Sequence, residues 1–236
     1  MHTPTASPNR TVLVIGASRG LGEAIVEEYA ARGSHVVGTV RGDAPTPLHE
    51  FARMTDRVEI EHVDITEVEG VRALADRLRH RTFDLLFIVA GASLAPRAQI
   101  AAEIADDDFD RMMNTNVLSV IRVVEALDDL VDPEGTIAVM SSGQGSIGNN
   151  RSGGFEVYRA TKAALNQLMR SYAARHRDDR RTLLLMAPGW VRTAMGGAEA
   201  PLEIADSIPP LVDTVDAQRG AAGLQYLDRN GETVPW

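Results

Sequence analysis

From Thr11 onward, short and wholly apolar runs alternate with longer amphipathic segments. TVLVI is followed by Leu21 to Arg32, HVVGTV by a polar stretch, and VEIEHV by Val68 to His80. FDLLFIVAG then precedes a helical pattern over 107–130, GTIAVMSS one over 155–175, and TLLLMAPG a mixed region. Short runs of β-branched and aliphatic residues without polar alternation predict strands buried on both faces of a parallel sheet. Strand and helix in regular succession predict an α/β fold: a single-domain, Rossmann-like, doubly wound parallel sheet with helices on both faces. The ending GLQYLDRNGETVPW predicts a last strand with a turn at Asn230-Gly231. Pro209-Pro210 falls inside the preceding helical pattern and predicts a kink or an end there. Connections are short and no internal repeat stands out, so residues 11–236 are expected to form one domain behind a flexible arm of residues 1–10.

The 236 residues are 44% apolar and 24% charged, enough to bury a substantial core. With 24 basic and 33 acidic residues the net charge is −9, which repels nucleic acid and anionic membranes. The absence of Cys excludes disulfides, thiolate metal sites and cysteine nucleophiles, and suits a reducing compartment. The six His fall into no paired spacing, so no metal site is expected. No apolar run is long enough to span a bilayer, and the first ten residues carry no secretory pattern. A cytoplasmic location is the expectation.

Gly16-Ala17-Ser18-Arg19-Gly20-Leu21-Gly22 follows the first strand and leads into a segment with apolar residues at 21, 24, 25 and 29. Glycines at such a strand-to-helix turn let the backbone approach a pyrophosphate, and the helix N-terminus offers unpaired N–H groups and a positive dipole end. The spacing is GxxxGxG, not GxGxxG, and glycines also serve plain turns; the strand before and the helix after favour a dinucleotide. The second strand ends in Val40-Arg41, without the acidic residue that accepts bonds from ribose hydroxyls in NAD sites. Arg41 and Arg19 suit a 2′-phosphate, because a guanidinium fork binds phosphate through two bonds. NADP(H) is therefore the expected cofactor, with NAD(H) left open, although both arginines can also be plain surface charge. Asp64 suits either an adenine amino group or the cap of the helix that follows.

Every basic residue but one is arginine. The exception, Lys162, lies four residues after Tyr158, so phenol and ammonium share one helix face. At an effective dielectric near 20, an ammonium about 4 Å from a phenolate stabilises it by roughly 4 kcal/mol, or about 3 pKa units. That predicts a tyrosine able to exchange protons near neutral pH. Ser141-Ser142 ends the strand before it, where a hydroxyl can donate to a substrate carbonyl or merely cap a turn.

Together these features resemble the short-chain dehydrogenase/reductase family over about residues 11–236, and in particular its carbonyl reductase and C-signal-like members. GASRGLG is similar to the family's TGxxxGxG, with Ile15 where Thr is usual. The resemblance implies that Ser142 holds the substrate, Tyr158 gives the proton, Lys162 is its partner, and Asn116 bends its helix and holds a water behind the lysine. It also implies that Asp64, Ile65, Ala90, Gly91, Ala92, Pro188, Gly189, Val191 and Thr193 line the cofactor, with the glycine turn, Arg41, Tyr158 and Lys162. Loops 93–105, 143–156 and 190–207, with Trp190 and Met195, would wall the pocket. The sequence departs from the pattern at Val89, where an asparagine that links central strands is usual, at Ala187 and Ala194 on the substrate side, and in its longer gap from Ser142 to Tyr158.

The resemblance implies NADP(H)-dependent hydride transfer between nicotinamide and a small carbonyl or alcohol substrate. The competing class is a dinucleotide-binding regulator without turnover, since a fold does not dictate a function. Family members often pair through helices at 107–130 and 155–175, so a homodimer or homotetramer is open to the chain.

Overall fold

The computed structural model describes residues 10–236; residues 1–9 of the expected arm lie outside them. Arg10, assigned to that arm, is instead buried: its guanidinium pairs with Asp216 and its carbonyl accepts from His35 N–H at 2.8 Å.

Seven strands form one parallel sheet: β1 Thr11–Ile15, β2 His35–Val40, β3 Val58–His62, β4 Phe83–Ile88, β5 Val131–Met140, β6 Thr182–Ala187 and β7 Leu224–Asp228, in the order β3-β2-β1-β4-β5-β6-β7. The apolar runs are strands because both faces are covered. Leu13, Ile15, Leu86 and Ile88 pack on one side under helices α3 Val68–Leu78, α5 Ser119–Leu127 and α6 Glu156–Arg175. Val12, Val14, Leu85 and Phe87 pack on the other under α1 Gly20–Ala31, the short α2 Pro47–Ala52 and α7 Ile204–Ala217. The chain winds outward in both directions from the β1–β4 pair, which puts the topological switch point, where such sheets bind ligands, at the carboxyl ends of those strands.

Two helices differ from the sequence expectation. The pattern over 107–130 is α4 Asp106–Met113, a wide π turn Asn114–Leu118, α5, and a 3₁₀ turn Asp128–Leu130. A π turn inserts an extra residue per turn and often marks a functional position; here it carries Asn116. Helix α7 neither ends nor breaks at Pro209-Pro210 but continues to Ala217. Ala205 and Asp206, whose carbonyls lose their helical partners to the prolines, are exposed to water, while Ile208, Leu211, Val212 and Val215 are buried on the sheet. After β7 the expected turn forms with Gly231 in the left-handed region at φ 83, and Val234 N–H donates back to Tyr226 at 2.9 Å.

Candidate active site

The turn after β1 is shaped by its glycines. Gly16 sits at φ 93, and a Cβ at Gly22 would stand 2.0 Å from the Gly16 carbonyl oxygen. Thr39, on β2, pins the turn by accepting from Gly16 N–H at its hydroxyl (2.9 Å) and from Ala17 N–H at its carbonyl (2.7 Å). Arg19 is extended at the N-cap of α1 and its side chain makes no capping bond, which leaves the first-turn N–H groups facing the sheet edge. Ser18 and Leu21 are partly exposed along that turn, and Arg19 is exposed. Arg41 follows β2 with its side chain 80% exposed and its Nε 4.0 Å from Asp64 Oδ2. The other oxygen of Asp64 accepts from Thr66 N–H (2.9 Å) and hydroxyl (2.7 Å), so it closes a local turn and does not cap α3, which begins four residues later. The Ile65 side chain is buried in the core, leaving only its backbone toward the edge.

After β4, the N–H groups of Val89 and Ala90 both donate to Ile15 O, at 2.9 and 3.0 Å. The link between the central strands is thus made by backbone, and Val89 adds apolar packing against the core. Asn116 is fully buried and exchanges bonds with Ala92: Ala92 N–H donates to Oδ1 and Nδ2 donates to Ala92 O, both at 2.7 Å. Its second amide hydrogen goes to the Thr161 hydroxyl at 3.1 Å, and that hydroxyl donates to Tyr158 O at 2.8 Å. Both amide hydrogens of Asn116 are thus spent on protein, and its side chain braces the loop after β4 against α6.

Tyr158 and Lys162 share a face of α6, as their spacing requires. Lys162 is buried, and its Nζ donates to Met140 O at 2.9 Å and stands 5.8 Å from the Tyr158 ring centroid. Burial brings its pKa down to about 8. A Cβ on Gly91 would lie 3.6 Å from Nζ and 3.4 Å from Asn116 Oδ1, so the loop after β4 packs directly beside the ammonium. Tyr158 is pushed up to about 12, first by burial and further by the neighbouring Tyr226 phenol, while Ser142 pulls the other way. The expected lowering by lysine is absent in the polypeptide itself, because the ammonium is committed to a carbonyl and desolvation dominates.

Three consecutive residues at the end of β5 are each held by one side chain. Met140 O accepts from Lys162, the Ser141 hydroxyl donates to Asn166 Oδ1 at 2.6 Å, and Ser142 O accepts the Tyr226 hydroxyl. Ser142 Oγ accepts from Gln144 N–H at 3.2 Å, so it caps the turn Gly143–Gly145 and keeps its own hydrogen free to donate. The turn-capping reading of this serine therefore holds. Asn166 was findable, since 158, 162 and 166 recur every four residues on one helix face. Tyr226 carried no local signal.

The segment after β6 closes the ring around the cleft. Pro188 O accepts the Ser207 hydroxyl at 2.7 Å, Gly189 lies at φ 88, and buried Val191 bridges to Leu202. Thr193 accepts from Gly196 N–H at 3.0 Å and approaches the glycine turn: a Cβ on Gly20 would lie 3.9 Å from its methyl. Away from this edge, the fold gathers ligand atoms of Glu125, Asp128 and His176 within 4.8 Å, a cluster without sequence signature. Glu125 is paired with Arg175, Asp128 takes the Tyr172 hydroxyl at 2.8 Å, and His176 stacks on Tyr172. Among the described residues no helix is long and apolar enough to cross a membrane.

An uncapped helix N-terminus beside glycines that no side chain can replace, at the switch point of a doubly wound sheet, is a site built for an extended nucleotide. The model of the family described as short chain dehydrogenase matches residues 10–202, and the chain belongs to that family. It is similar to a Burkholderia multivorans protein described as a short-chain dehydrogenase/reductase and solved with bound NADP: 53% identity, 97% of this chain and 100% of that one, TM-score 0.95. A carbonyl reductase from Pseudomonas aeruginosa PAO1 in complex with NADP is 33% identical over 96% of this chain and 99% of that one, TM-score 0.88. C-signal of Myxococcus xanthus is 31% identical over 171 residues, 70% of this chain and all of that protein. The resemblance to carbonyl reductase and C-signal relatives is thereby borne out.

Proposed function

We propose that this chain is an NADP(H)-dependent oxidoreductase that interconverts a carbonyl compound and its alcohol. The observation that carries the reading is the meeting of Ser142, Tyr158 and Lys162 at one cleft, beside a glycine turn and a second strand that ends in Arg41 and not in an acid. When bound, the dinucleotide supplies or removes the hydride. The backbone of Gly16, Gly20, Gly22, Ala90 and Gly91 would leave room for it, with the N–H groups at the start of α1 on its pyrophosphate and Arg19 and Arg41 on its 2′-phosphate. The NADP held by the two solved relatives supports that choice.

In the reductive direction, Ser142 donates its free hydroxyl hydrogen to the substrate oxygen and orients the carbonyl as charge develops on it. Tyr158 then breaks its O–H bond and gives the proton to that oxygen, which leaves as an alcohol. A phenol held near 12 keeps its proton at neutral pH, as an acid must, and an alkoxide is the stronger base. Lys162, poised under the ring, stabilises the phenolate until solvent returns the proton. Asn116 and Thr161 keep α6 in register with the loop after β4, and Tyr226 keeps Ser142 in place.

NADPH consumption with a panel of reactive aldehydes, ketones and quinones tests the reading. Tyr158→Phe is expected to lower turnover by about 10² or more with NADPH binding retained. Equal, negligible rates for both proteins would favour a dinucleotide-binding protein without turnover.

A further inference from the structure

The loop after β4 brings Arg97 to the segment that precedes Tyr158. Arg97 O accepts from Phe155 N–H at 2.8 Å, and a Cβ on Gly154 would stand 3.3 Å from that oxygen. Phe155 is the one non-glycine residue at positive φ among those described, at 51, following Gly153 at 61 and Gly154 at 71. Such a backbone is unfavourable for a residue with a Cβ and persists where surrounding contacts impose it, commonly at ligand clamps. Those contacts are the Arg97 bond and Arg159, which donates to Gly154 O (2.9 Å) and Gly153 O (3.1 Å). The strained turn brings the Phe155 ring to 5.9 Å from the Arg97 guanidinium carbon, with the Trp190 ring 5.7 Å from the same atom. Trp190 is fixed in turn by its Nε1–H on Gly196 O at 2.7 Å. An arginine on the loop after β4 is thus flanked by one aromatic from each of the other two loops of the cleft.

No carboxylate among the described residues lies within ion-pair distance of Arg97 or Arg159. The acid beside them in sequence, Glu156, is spent on Ala101 N–H at 2.7 Å. Burial, and then repulsion from Arg97, hold the Arg159 guanidinium below its ordinary value. In a chain of net charge −9, this is an uncompensated cationic spot framed by aromatic rings.

We propose that Arg97 is an anion-recognition residue at the mouth of the cleft, and that the carbonyl compounds this chain handles best are aromatic ones bearing a carboxylate remote from the reacting group. The planar guanidinium pairs a carboxylate through two bonds, while Phe155 and Trp190 take the flat apolar body. Phe155 is the N-cap of α6, three residues before Tyr158, so the anion site lies on the segment that leads into the reacting hydroxyl. The proposal rests on the oxidoreductase reading above.

The test compares 4-formylbenzoate with its methyl ester, nearly the same size but uncharged, in wild type, Arg97→Gln and Arg97→Lys. The ratio of kcat/KM for acid over ester is expected to fall about tenfold in Arg97→Gln, to be only partly kept in Arg97→Lys, which retains the charge but not the fork, and to shrink in wild type with added salt. Comparing ratios between proteins removes the esters' intrinsic reactivity. A ratio unchanged within twofold in Arg97→Gln overturns the proposal. If wild type reduces neither aldehyde and matches Tyr158→Phe, the oxidoreductase reading falls. Titration of tryptophan emission with 4-formylbenzoate then decides the anion site alone: tenfold weaker binding to Arg97→Gln upholds it, and equal binding overturns it.

Discussion

The hydroxyl of Tyr226, on the last strand, donates to the backbone carbonyl of Ser142, at the end of the strand two places away in the sheet. The contact fixes the residue whose hydroxyl we propose orients the substrate oxygen, and it comes from a side chain that is buried beside Ser141 and Asn166. Tyr226→Phe removes the donor and keeps the ring. We expect kcat to fall about three- to tenfold while NADPH affinity stays within twofold, with a stability loss of about 1–2 kcal/mol for the unpaired carbonyl. A lower melting temperature with unchanged kcat would assign Tyr226 to stability alone.

Lys162 carries a cost in the protein without cofactor. Its folded-state pKa, about 8, lies below the ordinary 10.5, so the folded chain resists holding that proton. The penalty is fully present below pH 8 and fades as pH rises toward 10.5, so stability attributable to this group increases across that window. Lys162→Met relieves up to about 3 kcal/mol of this penalty at pH 7, offset by about 1–2 kcal/mol for the Met140 carbonyl it leaves unpaired, so it is expected to raise the melting temperature modestly while abolishing turnover. Thermal melts of both proteins between pH 7 and 10 check this; a destabilised variant at every pH would contradict it.

In the proposed reaction, the same residue is expected to set the alkaline limb of NADPH-dependent reduction. Tyr158 keeps its proton to about pH 12, so a decline of kcat/KM beginning near pH 8 reports loss of the Lys162 ammonium. A profile flat to pH 10 would mean that the bound nucleotide restores the lysine to its ordinary range.

Arg41 stands exposed, 4.0 Å from Asp64, with no closer carboxylate among the described residues. Arg41→Ala is expected to weaken NADPH about tenfold or more and NADH less than twofold, since only the former carries the 2′-phosphate. Dissociation constants for both nucleotides check it, and an unchanged ratio would remove the arginine from the selectivity.

Most of the sheet was legible along the chain because burial on both faces needs consecutive apolar residues, and the glycine turn and the Tyr158–Lys162 pair were legible because their spacing is short. What followed from position three or four residues away was settled by periodicity alone. Contacts between distant segments were not. Asn116 clasping Ala92, Tyr226 holding Ser142, and Arg97 between Phe155 and Trp190 join residues 24, 84 and 58 or 93 positions apart, and nothing in any of these segments names its partner. The acid–base character of the tyrosine followed the same division: its identity and its lysine were written in the chain, but the direction of its shift came from how deeply the fold buried it. Helix α7 shows the rule from the other side, since two consecutive prolines predict a kink or an end locally, and the burial of Ile208, Leu211, Val212 and Val215 against the sheet carries the helix on past them.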